Sequence, residues 1–354
     1  MMFGPMPDRL PIDRQRLEAF ASTYVPQRTV VDLGVPQLVP APGRPTSSRR
    51  RCRFCLGEGG EVRDGQKVRF KTDAHLVPQQ VGNEALLTDS ECDACNNYAS
   101  RYERELGEYT LPIRALLGVV GKRGTPAYEA GVGEYEDWTR AVVEVGHVGG
   151  RVRIVAPDGF DVVGVDEQAR TFTLSTPRRA YRPLGVYKSL AKAAYALLDE
   201  DELVDFGMIR RLLTTSELDD GVSPGQLVLH GYSLPGGQPA VRVTAQLWRR
   251  RDDVRVGEGL GPPPSKVLTV LWANQFWQIP VPATSDYRAA LEAGGRVPAA
   301  MPLHPAPVGG AFVAEMGTYG EFSEDLSSND RVDRAPFSST FRFDSIVPAP
   351  AVPD

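Results

Sequence analysis

Two pairs of cysteines, each separated by two residues, are the clearest chemical feature of this chain. Cys52 and Cys55 form the first pair, Cys92 and Cys95 form the second, and the sequence contains no other cysteine. Paired thiolates at this spacing suit a tetrahedral Zn²⁺ ion, because each pair can bend back and offer two sulfur ligands from one side. The spacing therefore predicts one structural zinc site formed by all four thiols.

A histidine lies between the two pairs, in the string Ala74-His75-Leu76-Val77-Pro78. A neutral imidazole near pH 7 can accept a proton from water, which is the task of a general base in hydrolysis. A lone histidine is more often a buried, hydrogen-bonded residue. Its position between two zinc half-sites nevertheless favours a catalytic interpretation of His75.

The residues around the thiols resemble the HNH endonucleases, in the zinc-bearing branch written C-x-x-C, A-H-x-x-P, G-N, C-D-x-C-N and then a helix with Tyr-Glu. The resemblance covers about residues 46–125, roughly a third of the chain. It implies a metal-dependent nuclease that hydrolyses phosphodiester bonds, with double-stranded DNA favoured over RNA as its partner. Family association also suggests a prokaryotic defence or restriction effector.

The resemblance assigns roles to three residues of the motif. It implies that His75 is the general base and that Asn83 braces the loop carrying this base. It further implies that Asn96, directly after Cys95 on the predicted helix, binds a catalytic Mg²⁺ or Mn²⁺ ion. Gly82-Asn83 could equally form a simple turn.

One ligand position departs from the wider family, in which an aspartate directly precedes the histidine. That position is Ala74 here, so another carboxylate must complete the catalytic metal site. Glu103 is the favoured candidate because it lies two helical turns beyond the helix asparagine, and Asp73 is the second candidate. The competing interpretation of Glu103 is a solvated carboxylate that pairs with Arg101 or Arg104.

The chain is predicted to have an α+β fold with two main parts. Residues 46–125 predict a zinc-stabilised, treble-clef-like ββα-metal module, since so small an element cannot bury enough apolar surface to fold alone. Residues 1–45 predict an N-terminal helix and a linker, and residues 126–335 predict a larger, mixed and strand-rich domain. Residues 336–354 are expected to form a loose tail.

Hydrophobic periodicity predicts the elements more finely. The predicted helices cover about residues 12–25, 93–106, 186–198 and 200–213. A strand over residues 68–71 should lead to His75. Further predicted strands cover about residues 141–145, 151–155, 160–165, 171–175, 226–230, 241–248 and 267–279.

The charge distribution bears on the expected partner. A net charge of −5 and a pI near 5.6 argue against a protein coated in DNA-binding surface. Basic residues nevertheless concentrate around the predicted zinc module: Arg44, Arg49, Arg50, Arg51, Arg53, Arg63, Lys67, Arg69, Lys71, Lys122 and Arg123. They suit a local nucleic-acid surface, and a solvated linker at residues 49–51 is an equally supported interpretation.

The region after residue 125 carries no recognised catalytic signature, and Lys188 and Lys192 are expected on a basic edge of its first helix. We interpret it as a targeting, sensing or assembly domain that could bind a partner protein or a small-molecule activator. The sequence lacks an apolar run of membrane-spanning length and a secretory signal, so no membrane partner and a cytoplasmic location are expected. The alternative function is a non-catalytic zinc module for nucleic-acid binding or protein assembly.

Overall fold

The computed structural model describes most of the chain and mixes helices with mainly antiparallel strands, in agreement with the α+β class. The described residues are 11–40, 50–63, 65–72, 74–131, 142–148, 151–156, 161–215, 227–233, 242–254, 262–292, 301–304, 320–342 and 345.

Five α-helices occur among these residues, and four of them correspond to predicted helices. They are α1 (Pro11–Thr23), α2 (Asp93–Leu117), α3 (Pro183–Leu197), α4 (Gly207–Thr214) and α5 (Thr284–Glu292). α2 continues well past the predicted end at residue 106 and contains Pro112 within its helical span.

The largest sheet has six strands in the order β1-β13-β14-β15-β12-β16, and all neighbours pair antiparallel. Its strands are β1 (Tyr24–Val31), β12 (Val228–Ser233), β13 (Thr244–Arg250), β14 (Lys266–Trp272), β15 (Gln275–Val281) and β16 (Gly320–Asp325). The single strand expected over residues 267–279 is instead the hairpin β14-β15. Ala273 turns the chain there, with a φ of 47°.

Four smaller sheets complete the described fold, in the orders β2-β6-β5, β3-β4, β7-β8-β9 and β10-β11-β17. Their strands are β2 (Gln37–Val39), β3 (Val62–Arg63), β4 (Gln66–Lys67), β5 (Ala74–His75), β6 (Leu86–Thr88), β7 (Tyr128–Gly131), β8 (Val142–Val148), β9 (Arg151–Val155), β10 (Val163–Asp166), β11 (Thr171–Pro177) and β17 (Pro336–Arg342).

Two expectations about the small elements are wrong. The predicted strand over residues 68–71 is not in a sheet. The Arg69 carbonyl instead accepts a hydrogen bond from the Asp93 N–H at the start of α2, at 2.8 Å. The first part of the expected loose tail forms β17, which pairs with β11 along its whole length. Of the remaining tail, only residue 345 belongs to the described chain.

A helix buried on every side organises the fold. Every residue of α3 is buried, and its apolar side chains cover all faces, as expected for a helix enclosed in a core. On one side the Tyr187 hydroxyl donates to the Pro280 carbonyl of β15 at 2.8 Å. On the other side α3 packs against α2.

The contact between α2 and α3 is close because small residues line it. A Cβ atom on Gly185 would lie 2.6 Å from the Glu105 Cγ, so a larger residue would separate the helices. The Ser189 hydroxyl donates to the Tyr102 carbonyl at 2.9 Å. The described residues between 50 and 117, here called the cysteine module, are thereby docked on the rest of the chain, and one apolar core runs across residue 125.

The N-terminal segment is integrated as well. β1 is the edge strand of the six-stranded sheet, and β2 pairs parallel with β6 of the cysteine module. Within the part of the chain described here, no helix combines the length and apolar character needed to cross a membrane.

Candidate metal centre and nuclease site

The four cysteine thiols come together in one cluster. All four Sγ atoms lie within 4.8 Å of one another, and Cys55 Sγ is 3.8 Å from Cys92 Sγ. A tetrahedral ion with Zn–S bonds of about 2.3 Å has sulfur–sulfur edges of about 3.8 Å. The donor set therefore fits a metal ion such as zinc.

Local backbone geometry delivers the thiols to this cluster. The Cys52 N–H donates to the Gly57 carbonyl at 2.8 Å, and Leu56 adopts a left-handed φ of 60°, which folds residues 52–57 into a tight turn. Cys92 directly precedes α2 and Cys95 lies in its first turn. The Cys92 N–H donates to Cys52 Sγ at 3.4 Å and links the two pairs.

The thiols influence one another electrostatically. Hydrogen bonding with the Cys52 thiol lowers the pKa of Cys92 to about 7 and holds the pKa of Cys55 below its usual range. Hydrogen bonding with Cys55 raises the pKa of Cys52, and hydrogen bonding with Cys52 raises that of Cys95. A bound dication would favour the thiolate form of all four cysteines.

His75 lies on β5, which pairs antiparallel with β6. Ala74 is fully buried opposite Thr88, whereas His75 is half-buried opposite Leu87, because neighbouring residues of a strand point to opposite faces. The Ala74 position therefore belongs to the core, where a charged aspartate would be costly.

Asn83 braces the chain that follows His75. Its side chain is fully buried, and its Nδ2 donates to the carbonyls of Val77 at 2.6 Å and Leu86 at 3.0 Å. Its Oδ1 accepts from the Leu86 N–H at 2.8 Å. These contacts hold Val77 next to Leu86 of β6.

Asp93 ties the start of α2 to the segment that precedes β5. Its Oδ1 accepts from the N–H groups of Lys71 and Thr72 at 2.9 and 3.0 Å and from the Thr72 hydroxyl at 2.7 Å. Although desolvation opposes ionisation, these hydrogen bonds lower the pKa of Asp93. The strand carrying His75 and the helix turn carrying Asn96 are thus joined through one carboxylate.

Asp32 is a positioning residue that the sequence interpretation missed. One of its carboxylate oxygens accepts from the Gly34 N–H at 2.7 Å, and the other accepts from the N–H groups of Glu84 and Ala85 at 3.0 and 3.3 Å. It connects the end of β1 to the loop after Asn83. The string Asp-x-Gly is a turn signal that could have indicated it.

Glu103 differs from both of its interpretations. Its Oε1 lies 2.7 Å from Lys192 Nζ on α3, and Glu91 Oε2 lies 2.9 Å from the same nitrogen. The Lys192 and Glu91 side chains are each 1% exposed and that of Glu103 is 14% exposed, so the cluster is neither solvated nor paired with Arg101 or Arg104. Burial brings Lys192 of α3 together with Glu103 of α2 and with Glu91, which precedes α2, because an unpaired charge there would be costly.

Burial and charge act in opposite directions within this cluster. Desolvation raises the pKa of Glu91 to about 7 despite the nearby Lys192. Desolvation also disfavours the charged form of Lys192, but the two carboxylates outweigh it and raise the pKa of this lysine. The prediction of an exposed basic edge on α3 is wrong, because Lys192 and Lys188 are both buried. Lys188 donates to the Thr215 carbonyl at 2.6 Å.

Arg53 does not belong to a basic surface. Its buried guanidinium donates to the carbonyls of Ala196 and Leu198 at 3.2 and 2.6 Å and pairs with Glu200 at 3.1 Å. It caps the end of α3, where unpaired carbonyls attract a cation. The exposed members of the predicted basic set are Arg50, Arg51, Arg63, Lys67, Arg69, Lys71, Lys122 and Arg123.

The remaining predicted residues are placed as follows. Asn96 is half-exposed in the first turn of α2. Asp73, Arg44 and Arg49 lie outside the described residues. Within the described chain, the four cysteines are the one group of three or more potential ligands close enough to share an ion.

Comparisons with protein-family models, with characterised proteins and with solved structures give no significant match to this chain. The HNH resemblance therefore depends on the residues of its own motif and on how the fold arranges them.

Proposed function

We propose that this chain is a metal-dependent HNH-type endonuclease that hydrolyses phosphodiester bonds, with double-stranded DNA as the favoured substrate. A prokaryotic defence or restriction role goes with this proposal. The main support is Asn83, whose three hydrogen bonds brace the loop after His75 as the family role requires. A further support is the order of the antiparallel pair β5-β6 followed by α2, with Cys92 and Cys95 at the start of α2, which is the order expected of a ββα-metal module.

In this proposal His75 accepts a proton from the attacking water. A half-buried imidazole on a two-residue strand is held in place by the pairing of β5 with β6 and by the Asn83 brace. A zinc ion held by the four cysteines would be structural, because all four protein ligands are thiolates and no position is left for substrate.

The proposed function also calls for a catalytic Mg²⁺ or Mn²⁺ ion. Such an ion would stabilise charge on the phosphate and the leaving oxygen. Glu103 is held by Lys192, which leaves Asn96 as the remaining described candidate. The described residues therefore do not form a complete magnesium site.

The proposal is tested by plasmid cleavage with Mg²⁺, with Mn²⁺ and with EDTA. We expect His75→Ala to lower the cleavage rate by about 10²–10⁴-fold, which is the usual effect of losing a general base. Zinc content and the melting temperature should stay unchanged. His230→Asn, in the six-stranded sheet, is the matched control and should cut normally; equal cutting by His75→Ala would remove His75 from the mechanism.

The second candidate is a non-catalytic zinc module for nucleic-acid binding or assembly. The buried Ala74 and the neutralised Glu103 favour it, because both expected acidic positions are unsuited to hold a metal ion. Binding of DNA without cleavage in any divalent cation would select this function. In either case we propose that the region after residue 125 receives a partner protein or a small-molecule activator.

A further inference from the structure

A cleft of about 540 Å³ runs beside α2, on the side away from α3. It lies between the helix, the short 3₁₀ turn at Gln79–Val81, and the segments around residues 123–127 and 179. Its polar lining residues include Gln80, Arg104, Glu108, Arg114, Arg123 and Arg179. Four guanidinium groups against one carboxylate make this cleft strongly positive on a chain whose net charge is −5.

Three buried polar atoms in this lining have no partner among the described residues. They are the Nε of Arg114, the Oε2 of Glu108 and the Oε1 of Gln80. Buried polar groups are nearly always hydrogen-bonded, so ordered water or a ligand must satisfy these three atoms. The Arg114 nitrogen is a donor, and the Glu108 and Gln80 oxygens are acceptors. A ligand that bonds all three must therefore carry both acceptors and donors.

Two of the four arginines donate to backbone carbonyls. Arg114 donates to the Gln80 carbonyl at 3.2 Å, and Arg179 donates to the Glu129 carbonyl at 3.4 Å. Within the described chain none of the four arginines has a carboxylate within ion-pair distance. The Glu108 carboxylate acts electrostatically on Arg114, and with one carboxylate against four guanidinium groups the cleft keeps an excess of positive charge.

The cleft shares a helix face with the proposed nuclease site. Four residues of α2 lie on the same side of this helix, because they are spaced by four or seven residues, which is about one or two turns. They are Asn96, Ser100, Gly107 and Arg114. Asn96 and Arg114 are separated by a rise of about 27 Å. The turn that supplies Gln80 directly follows the loop braced by Asn83.

We propose that this arginine cleft binds the backbone of a nucleic-acid strand next to the scissile position. Phosphate oxygens would accept from the four arginines, and a base amino group or sugar hydroxyl would donate to Gln80 and Glu108. The inference rests on the nucleic-acid substrate of the proposed function, but it does not require cleavage. It also gives the region after residue 125 a direct part in substrate binding, since Arg179 belongs to that region.

The test is binding of a labelled DNA duplex to the full-length protein without added Mg²⁺ or Mn²⁺, read by fluorescence polarisation over a range of salt concentrations. Each neutralised phosphate contributes about 0.9 to the slope of log affinity against log salt, so one lost contact costs about eightfold in affinity at ~0.1 M salt. We expect this loss and a shallower slope for Arg104→Gln and for Arg179→Gln. Both arginines are exposed, so neither variant should impair folding.

The matched control is Arg288→Gln, which removes an exposed arginine from α5 outside the cleft. It should leave affinity and slope unchanged. Equal losses in all three variants, or none in the cleft variants, would overturn the inference, as would a wild-type chain that binds no duplex. Displacement of the duplex by inorganic phosphate or a mononucleotide at similar concentrations would place a free phosphate compound in the cleft and overturn the strand assignment.

Tight duplex binding that depends on the cleft arginines, without cleavage under any condition, would refute the nuclease and leave this inference intact. Cleavage that depends on His75 but not on the cleft arginines would support the nuclease and overturn this inference.

Discussion

The cysteine module and the six-stranded sheet share one apolar core but differ in the length of their strands. The module strands β3 to β6 are two or three residues long, whereas β13, β14 and β15 are seven residues each. Every residue of β15 is buried, and Trp272 packs edge-on against Trp277 at 4.9 Å. From this difference we infer that the sheet depends on apolar burial alone, while the module depends in addition on an ion that the four thiols could hold.

Between these two regions lies α3, which contacts both. It meets the sheet through apolar and backbone contacts and meets the module through a charged cluster. The following predictions test whether the two regions depend on these different interactions.

The largest effect should come from removing the metal ion. Structural zinc contributes on the order of 10 kcal/mol to folding in small zinc domains, so Cys92→Ser should abolish zinc binding and unfold the module. We expect fast hydrogen exchange at residues 52–57 and 74–88, with protection retained in β14 and β15. EDTA treatment of the wild type should have the same effect, and equal loss of protection in the sheet would show one cooperative unit.

Trp277→Ala should produce the opposite pattern. The side chain is fully buried, so the cavity should lower the free energy of unfolding by about 3–5 kcal/mol. Zinc stoichiometry, measured by elemental analysis on the folded variant, should remain one per chain. A variant that loses its zinc while folded would contradict the separation of the two regions.

Lys192→Met should weaken the contact between α3 and the cysteine module. Removing the cation leaves two buried carboxylates without a partner, which we expect to cost about 3 kcal/mol in urea unfolding. Adding Glu91→Gln and Glu103→Gln should recover part of this loss, because the charges are then gone together. Lys67→Met, on the exposed strand β4, is the control and should change stability by less than about 0.5 kcal/mol; no recovery in the triple variant would contradict the ion-pair explanation.

The smallest effect should be a pH dependence from Lys188. Desolvation lowers the pKa of Lys188 from 10.5 to about 8 in the folded chain. Between these values the unfolded chain binds more protons, so stability should rise with pH from about 8 to about 10.5. Lys188→Met should lack this rise when both proteins are compared by urea unfolding; parallel curves would show that the lysine is charged in the folded state.

Local patterns were sufficient for much of the fold. Helical periodicity located α1, α2, α3 and α4, and alternation located the strands around residues 151–155 and 171–175. Element ends were less accurate, as the hairpin at Ala273 and the extension of α2 show, because a turn or a helix end depends on what the chain packs against.

The sequence by itself was sufficient to predict that the four cysteines form one cluster. The turn over residues 52–57 and the hydrogen bonds of Asn83 each join residues that are close in sequence. Local sequence is therefore sufficient to predict them. Only the tertiary structure decided that Glu103 pairs with Lys192, that Arg53 caps α3 and that Arg179 joins the arginine cleft. These contacts join residues far apart in sequence, 89 positions in the case of Glu103 and Lys192. They follow from how helices and sheets pack, since burial requires each charge on a docked helix to find a partner on its neighbour.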